Sequence, residues 1–150
     1  MCIIIDFFTC VPATFFFAIL FKVPHKALLP SSLLGGVGFT LFKTLSTPQF
    51  SEMGAYFIAT LIITICSEIL ARIMKMPATI FTVPAIIPLV PGIGLYTTMM
   101  YLVQNQRTMA SQTGASTLLA IVAMAMAMVL TSILTKSIHT GISAIQTKFK

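Results

Sequence analysis

One apolar stretch, residues 81–94, places the strongest constraint on the fold of this chain. It reads Phe81-Thr82-Val83-Pro84-Ala85-Ile86-Ile87-Pro88-Leu89-Val90-Pro91-Gly92-Ile93-Gly94. Each proline removes a backbone donor and clashes with the carbonyl four residues before it, while glycine lets the chain bend. Because the surrounding residues 78–103 are otherwise apolar, we expect a membrane-crossing helix that is broken at Pro88, Pro91 and Gly92.

The rest of the chain has the composition of a membrane protein. Of its 150 residues, 57% are hydrophobic and 8% are charged, whereas a soluble domain carries about 25% charged residues. So few charges cannot cover the surface of a water-soluble protein. The basic residues also stand singly between apolar runs, which argues against a phosphate-binding patch. Soluble enzymes, nucleic-acid binders and disordered proteins are therefore excluded, and residues 1–150 are expected to form a single membrane domain.

Five apolar segments are candidates for crossing the membrane, since a spanning helix needs about 20 apolar residues. They cover approximately residues 2–21, 27–42, 53–73, 78–103 and 114–134, and a basic tail follows at residues 135–150. We therefore predict an all-α membrane protein, a bundle of about five transmembrane helices whose fourth helix is broken. A four-span arrangement requires that either the short, glycine-rich second segment or the fourth segment be re-entrant. The Lys and Arg residues then divide less clearly between the two faces of the membrane.

The basic residues support five crossings with the N-terminus outside and the C-terminus in the cytoplasm. The inner face then receives seven of them, Lys22, Lys26, Arg72, Lys75, Lys136, Lys148 and Lys150. The outer face receives only Lys43 and Arg107. Cytoplasmic loops of membrane proteins carry such an excess of Lys and Arg, so the chain is predicted to be a multi-pass membrane protein in this orientation.

Two acidic residues, Asp6 and Glu68, fall inside apolar segments. An intramembrane acid is costly and usually faces protein or water, often with a functional role. Glu68 precedes Arg72 by four residues, an order that favours an ion pair on one helix face. We consider Asp6, Glu68 and Arg72 as proton-coupling or gating residues. The alternatives are that Glu68 and Arg72 only neutralise each other, and that Asp6 is simply solvated near the outer surface.

The broken segment is the predicted solute path. Irregular backbone within a membrane is tolerated only where it is buried in protein or lines a cavity, and the end of a half-helix can hold an anionic group. We expect the gap in mid-membrane beside a watery passage, although a plain packing kink is the alternative. The candidate path residues are Thr82, Pro88, Pro91, Gly92, Gly94, Tyr96 and Thr97.

Other features of the sequence indicate packing rather than chemistry. Small residues that permit close helix approach are Gly35, Gly36 and Gly38, and a row at spacing four in the last segment, Ala123, Ala127, Thr131 and Thr135. The sequence contains no H-E-x-x-H, G-x-S-x-G or P-loop motif and no paired-carboxylate metal motif. We therefore predict no enzymatic activity and no cofactor or metal.

The segment from Glu68 to Tyr96 resembles the signature of the C-terminal membrane unit of the threonine/serine exporter family. That signature has an acid and an Ala-Arg pair, a proline, a Pro-Leu-Val-Pro-Gly core and a later tyrosine. The matching residues here are Glu68, Ala71, Arg72, Pro77, Pro88, Pro91, Gly92 and Tyr96. The resemblance implies an exporter of threonine and serine in the cytoplasmic membrane of a bacterium, driven by the proton gradient.

The length of the chain is similar to that of the small subunit in two-chain members of this family. This likeness implies a larger partner membrane subunit, and such split pairs are associated with succinate export. Two functions follow. In the first, the chain is a transport subunit for small carboxylate-bearing solutes. In the second, it is an assembly subunit that stabilises the transporting chain without binding solute. A second copy of the chain is a further candidate partner.

Overall fold

The computed structural model describes the backbone of residues 3–47 and 51–148 and the side chains of residues 5–47 and 51–135. Within these ranges every regular element is helical. The helices are α1 (Ile3–Leu20), α2 (His25–Leu45), α3 (Glu52–Met74), α4 (Thr79–Ile86), α5 (Gly92–Val103) and α6 (Arg107–Lys148), with a 3₁₀ turn at Ile87–Leu89 between α4 and α5. The predicted all-α fold with a broken fourth segment is confirmed.

Three helices are long and apolar enough to cross a membrane, namely α2, α3 and the part of α6 at Arg107–Thr135. The pair formed by Thr79–Leu89 and Gly92–Val103 bends by 48° and would be a fourth span if it crosses as one unit. Helix α1 is a shorter apolar helix of 18 residues, about 27 Å long at 1.5 Å per residue. The fifth predicted crossing therefore depends on α1, whose length is close to the hydrocarbon thickness of about 30 Å.

The contacts between helices fix their relative directions. Asp6 near the start of α1 pairs with Lys43 near the end of α2, so α1 and α2 are antiparallel. Helix α2 also packs on α3 and α4. Two contacts in register, Thr64 with Thr131 and Arg72 with Thr135, show that α3 and α6 run in the same direction. This is the arrangement expected when one return crossing, α4 with α5, separates them.

The glycines of α2 bring its neighbours close, as the sequence predicts. A Cβ atom on Gly35 would lie 2.7 Å from the Cγ2 of Thr14 on α1. A Cβ on Gly36 would lie 3.1 Å from the ring of Phe7, and one on Gly38 would overlap Ile63 of α3. Because lipid gives little hydrophobic drive for helix association, such close approach is a main source of packing energy in a membrane.

Charged residues separate between the two ends of the bundle. One end, which we call the basic end, carries Lys22, Lys26, Arg72 and Lys75 beside the α1–α2 and α3–α4 connections. The opposite end, which we call the Asp6 end, carries Asp6, Lys43, Glu52 and Arg107. The side chains of Lys136, Lys148 and Lys150 lie outside the described residues.

Candidate functional site

An open cavity of about 850 Å³ lies beside the helix break, toward the Asp6 end. Its wall consists of the last two turns of α2, the first turns of α3, the break from Pro88 to Gly94, and α6 between Thr113 and Ala120. This volume is within the range of small-molecule sites. The cavity lies beside the gap, but at the ends of α2 and α3 and not in the middle of the bundle where the sequence predicts a passage.

The break itself is short, and Pro91 explains its position. The chain leaves helical geometry at Val90, with ψ 129°, and α5 begins at Gly92 after Pro91. A residue that precedes proline is disfavoured in the helical region, so Val90 cannot continue the 3₁₀ turn. Pro88 lies in the first positions of that turn, where a missing N–H costs little. Pro84, in contrast, lies within α4, which continues past it.

The first turn of α5 offers unpaired backbone donors to the cavity. The amide of Gly92 donates to the carbonyl of Val90 at 2.7 Å, and the amide of Leu95 donates to the carbonyl of Pro91 at 3.2 Å. Between them, the amides of Ile93 and Gly94 have no acceptor among the described residues, and no side chain caps the helix. Ile93 and Gly94 both line the cavity. Free amides at a positive helix end attract anions, so this wall suits a carboxylate.

Charged side chains of both signs stand on the cavity wall. Lys43 lines the cavity, and its Nζ lies 2.8 Å from the Oδ2 of Asp6. The Asp6 side chain is 24% exposed and is not itself part of the wall. Glu52 lines the same cavity from the start of α3. Among the residues with described side chains, no three His, Cys, Asp or Glu side chains come together as metal ligands. The wall can therefore pair with a carboxylate and an ammonium group at once.

Hydroxyl groups complete the polar part of the wall. They belong to Ser46, Ser51, Tyr56, Thr97, Thr113, Ser116 and Thr117. The last three repeat at positions i, i+3 and i+4 of α6, a spacing that puts them on one helix face. This spacing is the signal by which the sequence could have identified them. Lys43 and Glu52 gave no comparable signal, because their meeting depends on how α2 and α3 pack.

Five of the predicted path residues are in the cavity wall, namely Pro88, Pro91, Gly92, Gly94 and Thr97. The hydroxyl of Thr97 donates to the carbonyl of Ile93 at 2.6 Å. Two others are not in the wall. Thr82 donates its hydroxyl to the carbonyl of Ala78 within α4, and Tyr96 is 68% exposed on the outer surface of α5.

The three predicted gating residues are divided between the two ends. Asp6 reaches the cavity only through its ion pair with Lys43. Glu68 and Arg72 lie at the basic end, and the expected ion pair between them is not formed in the described part of the chain. Instead, Arg72 donates through Nη2 to the carbonyl of Thr135 at 3.2 Å, because α6 passes within its reach.

Comparison with known proteins identifies a family that matches this chain. Residues 6–134 match the family described as "Threonine/Serine exporter, ThrE". The matched region contains the helix break and every residue of the cavity wall. No solved structure matches the chain.

Proposed function

Since the chain belongs to the threonine/serine exporter family, we propose that it is a transport subunit whose solute site is the cavity at the Asp6 end. One observation carries this proposal: the free amides of Ile93 and Gly94 open onto a cavity of solute size. In a bilayer, unpaired backbone donors are costly unless a polar partner reaches them. A solute carboxylate would be that partner.

The charges of the wall favour a free amino acid as the solute. The carboxylate would bind the amides of Ile93 and Gly94, and the ammonium group would bind Glu52. Wall hydroxyls would accept or donate to the side-chain hydroxyl of threonine or serine. A dicarboxylate such as succinate would use Lys43 for its second carboxylate, but Glu52 would repel it. Threonine and serine are therefore the preferred solutes in this proposal.

Asp6 is the proposed proton-coupling acid. Its carboxylate pairs with Lys43, and protonation would remove that pairing. Lys43 would then be free to interact with the carboxylate of the solute in the cavity. The carboxylates of Asp6 and of the solute would thus compete for one cation, and proton binding to Asp6 would favour solute binding. Glu68 and Arg72, at the other end of the bundle, are proposed as gating residues of the cytoplasmic side.

The membrane arrangement and the partner are also proposals. We place the chain in a bacterial cytoplasmic membrane with the Asp6 end outside, because four of the described basic residues gather at the opposite end. Helix α5 contains no buried residue and packs on α6. Its exposed apolar side chains offer a surface for a larger membrane subunit or a second copy of the chain.

A bulky substitution at Gly92 tests whether the cavity carries solute. A Cβ atom at Gly92 would meet no atom within 4 Å, so Gly92→Leu has room to fold and would fill the cavity. We expect threonine export by cells that express the chain with its partner subunit to fall at least about tenfold, since a filled site excludes solute.

The matched control is Val122→Leu, which enlarges an exposed side chain on α6 outside the cavity wall and away from the proposed partner surface of α5. Normal export by a correctly assembled Gly92→Leu complex would contradict the solute site. If export then still requires the chain, the assembly function is favoured instead.

A further inference from the structure

Two hydroxyl groups deep in the bundle have no hydrogen-bond partner within the part of the chain that the structure describes. They are the Oγ1 of Thr60 and the Oγ of Ser67, in residues that are 0% exposed. A serine or threonine within a helix commonly donates to the carbonyl three or four residues before it. Thr64, one turn from each, does so to the carbonyl of Thr60. A buried hydroxyl without a partner costs free energy, and the cost is greater where lipid replaces water.

These hydroxyls belong to one stripe of α3. Thr60, Thr64 and Ser67 are all buried, and their spacing of four and three places them on the same helix face. The hydroxyl of Thr64 lies 2.9 Å from that of Thr131 on α6, which is also buried. We call this set, Thr60, Thr64, Ser67 and Thr131, the hydroxyl seam. Within it, the Thr64–Thr131 pair joins α3 to α6.

The hydroxyl seam connects the cavity with the basic end. Tyr56, one turn before Thr60, is in the cavity wall. Arg72, five residues after Ser67, donates to the carbonyl of Thr135 on α6. From Tyr56 to Ser67 the helix rises about 17 Å, at 1.5 Å per residue. Each turn of α3 across this distance carries a hydroxyl.

Close packing alone does not account for this composition. Alanine permits the same helix approach and occurs at neighbouring buried positions, Ala55, Ala59 and Ala71. Alanine would leave no unpaired donor in the interior. The hydroxyls of Thr60 and Ser67 therefore suggest a polar partner that enters the seam in another state of the protein.

We propose that the hydroxyl seam is the closed continuation of the solute path from the cavity to the basic end, and that Thr60 and Ser67 bind polar groups of the solute as it passes. This inference rests on the proposed transport function. The ligand is a small hydroxylated amino acid, with an ammonium, a carboxylate and a hydroxyl that can each pair with a hydroxyl of the seam. The seam opens when α3 and α6 separate.

Thiol labelling tests whether water and solute reach the seam. Cys2, Cys10 and Cys66 are first replaced by serine, and Thr60→Cys or Ser67→Cys is introduced in the chain expressed with its partner subunit. The control is Ile69→Cys, on the opposite face of α3 and 52% exposed toward lipid. We expect a small charged methanethiosulfonate to label both seam positions at least about tenfold faster than the control, because the reagent requires water. Saturating threonine should slow the labelling.

Removing one hydroxyl gives a second, independent measurement. Thr60→Val keeps the shape of the side chain but lacks the hydroxyl, and Thr60→Ser restores it. We expect Thr60→Val to lower threonine export about tenfold without lowering the Tm of the complex, and Thr60→Ser to recover export. The control is Thr14→Val, since Thr14 is equally buried but outside the seam and already bonded to the carbonyl of Cys10.

The outcomes separate this inference from the proposed function. Labelling of Thr60→Cys and Ser67→Cys no faster than Ile69→Cys, or full export by Thr60→Val, would overturn the seam as a path. If Gly92→Leu nevertheless abolishes export, the cavity remains the solute site. If Gly92→Leu exports normally while the seam is labelled and protected by threonine, the cavity proposal fails and the seam remains.

Discussion

Two glycines in the first turn of α5 have different physical roles although they are only two residues apart. Gly92 lies on the cavity wall with no atom near its missing side chain. Gly94 faces α6, where a Cβ atom would lie 3.2 Å from the Cγ2 of Thr117 and closer still to its hydroxyl. One glycine therefore leaves the cavity open, and the other allows α5 and α6 to approach.

This difference predicts opposite effects of alanine on stability. Gly94→Ala should destabilise the protein by about 1–3 kcal/mol, the usual cost of overpacking a close contact. Gly92→Ala should leave stability unchanged or raise it by up to about 1 kcal/mol, because alanine is the better helix former. Thermal unfolding in detergent measures both. Equal Tm values for the two variants would contradict the assignment of Gly94 to the helix contact.

Loss of the ion pair between Asp6 and Lys43 should affect transport more than stability. An exposed ion pair contributes only about 0–1 kcal/mol, so Asp6→Asn should change the Tm little. The same change should alter export, because it removes the proposed proton-coupling acid beside the cavity. Export measured in vesicles across a pH gradient checks this. A Tm shift without any change in export would assign the pair to helix packing.

The charge-swapped double variant Asp6→Lys/Lys43→Asp separates the two roles further. The swap restores an ion pair between α1 and α2, and it should restore any lost stability. It also places an anion on a wall that must accept a carboxylate, so export should stay below about a tenth of the normal rate. Recovery of export in the double variant would show that only the pairing matters, and not the positive charge on the wall.

At the scale of helices, the break shows how much proline content can predict. The prolines of residues 84–91 identify a broken segment, and the bend of 48° between its halves confirms it. The proline content does not reveal which proline causes the break between α4 and α5. Pro84 is accommodated inside α4 and Pro88 lies in the first turn of a 3₁₀ helix, so only Val90 and Pro91 leave helical geometry. That difference lies in where each proline falls within its helical turn, which composition alone does not encode.

Pro91 is therefore expected to control the shape of the segment. In Pro91→Ala, Val90 regains access to the helical region, and the amides of Ile93 and Gly94 can pair with preceding carbonyls. We expect a smaller bend and at least about tenfold lower export. Spin labels at Val83 and Met99, both exposed, would report an increased separation between α4 and α5.

Pro84→Ala is the matched control for this measurement. Pro84 lies within a helix that already continues past it, so its replacement should leave the bend unchanged. An unchanged distance between the spin labels in Pro91→Ala would show that the bend is imposed by packing of α5 on α6.

At the scale of the whole molecule, the composition predicts the class of protein but not the helix neighbours. Few charges and long apolar runs are sufficient to indicate a helical membrane protein. The meeting of Lys43 with Asp6, and of α3 with α6, depends on contacts between residues 37 or more apart in sequence. The cavity wall therefore could not be assembled from sequence, although five of the path residues predicted in the broken segment belong to it.

The separation of charges between the two ends predicts the orientation of the molecule. Four basic residues, Lys22, Lys26, Arg72 and Lys75, gather at the basic end, while the Asp6 end has two basic residues, Lys43 and Arg107, beside the acids Asp6 and Glu52. Membrane proteins retain positive loops in the cytoplasm, so the Asp6 end should face outward. In a background without native cysteines, an impermeant thiol reagent added to intact cells should label Ser46→Cys and Gln106→Cys. It should not label His25→Cys or Thr79→Cys until the cells are opened. The reverse pattern would place the cavity on the cytoplasmic side, and the cavity would then be the entry of the export path rather than its exit.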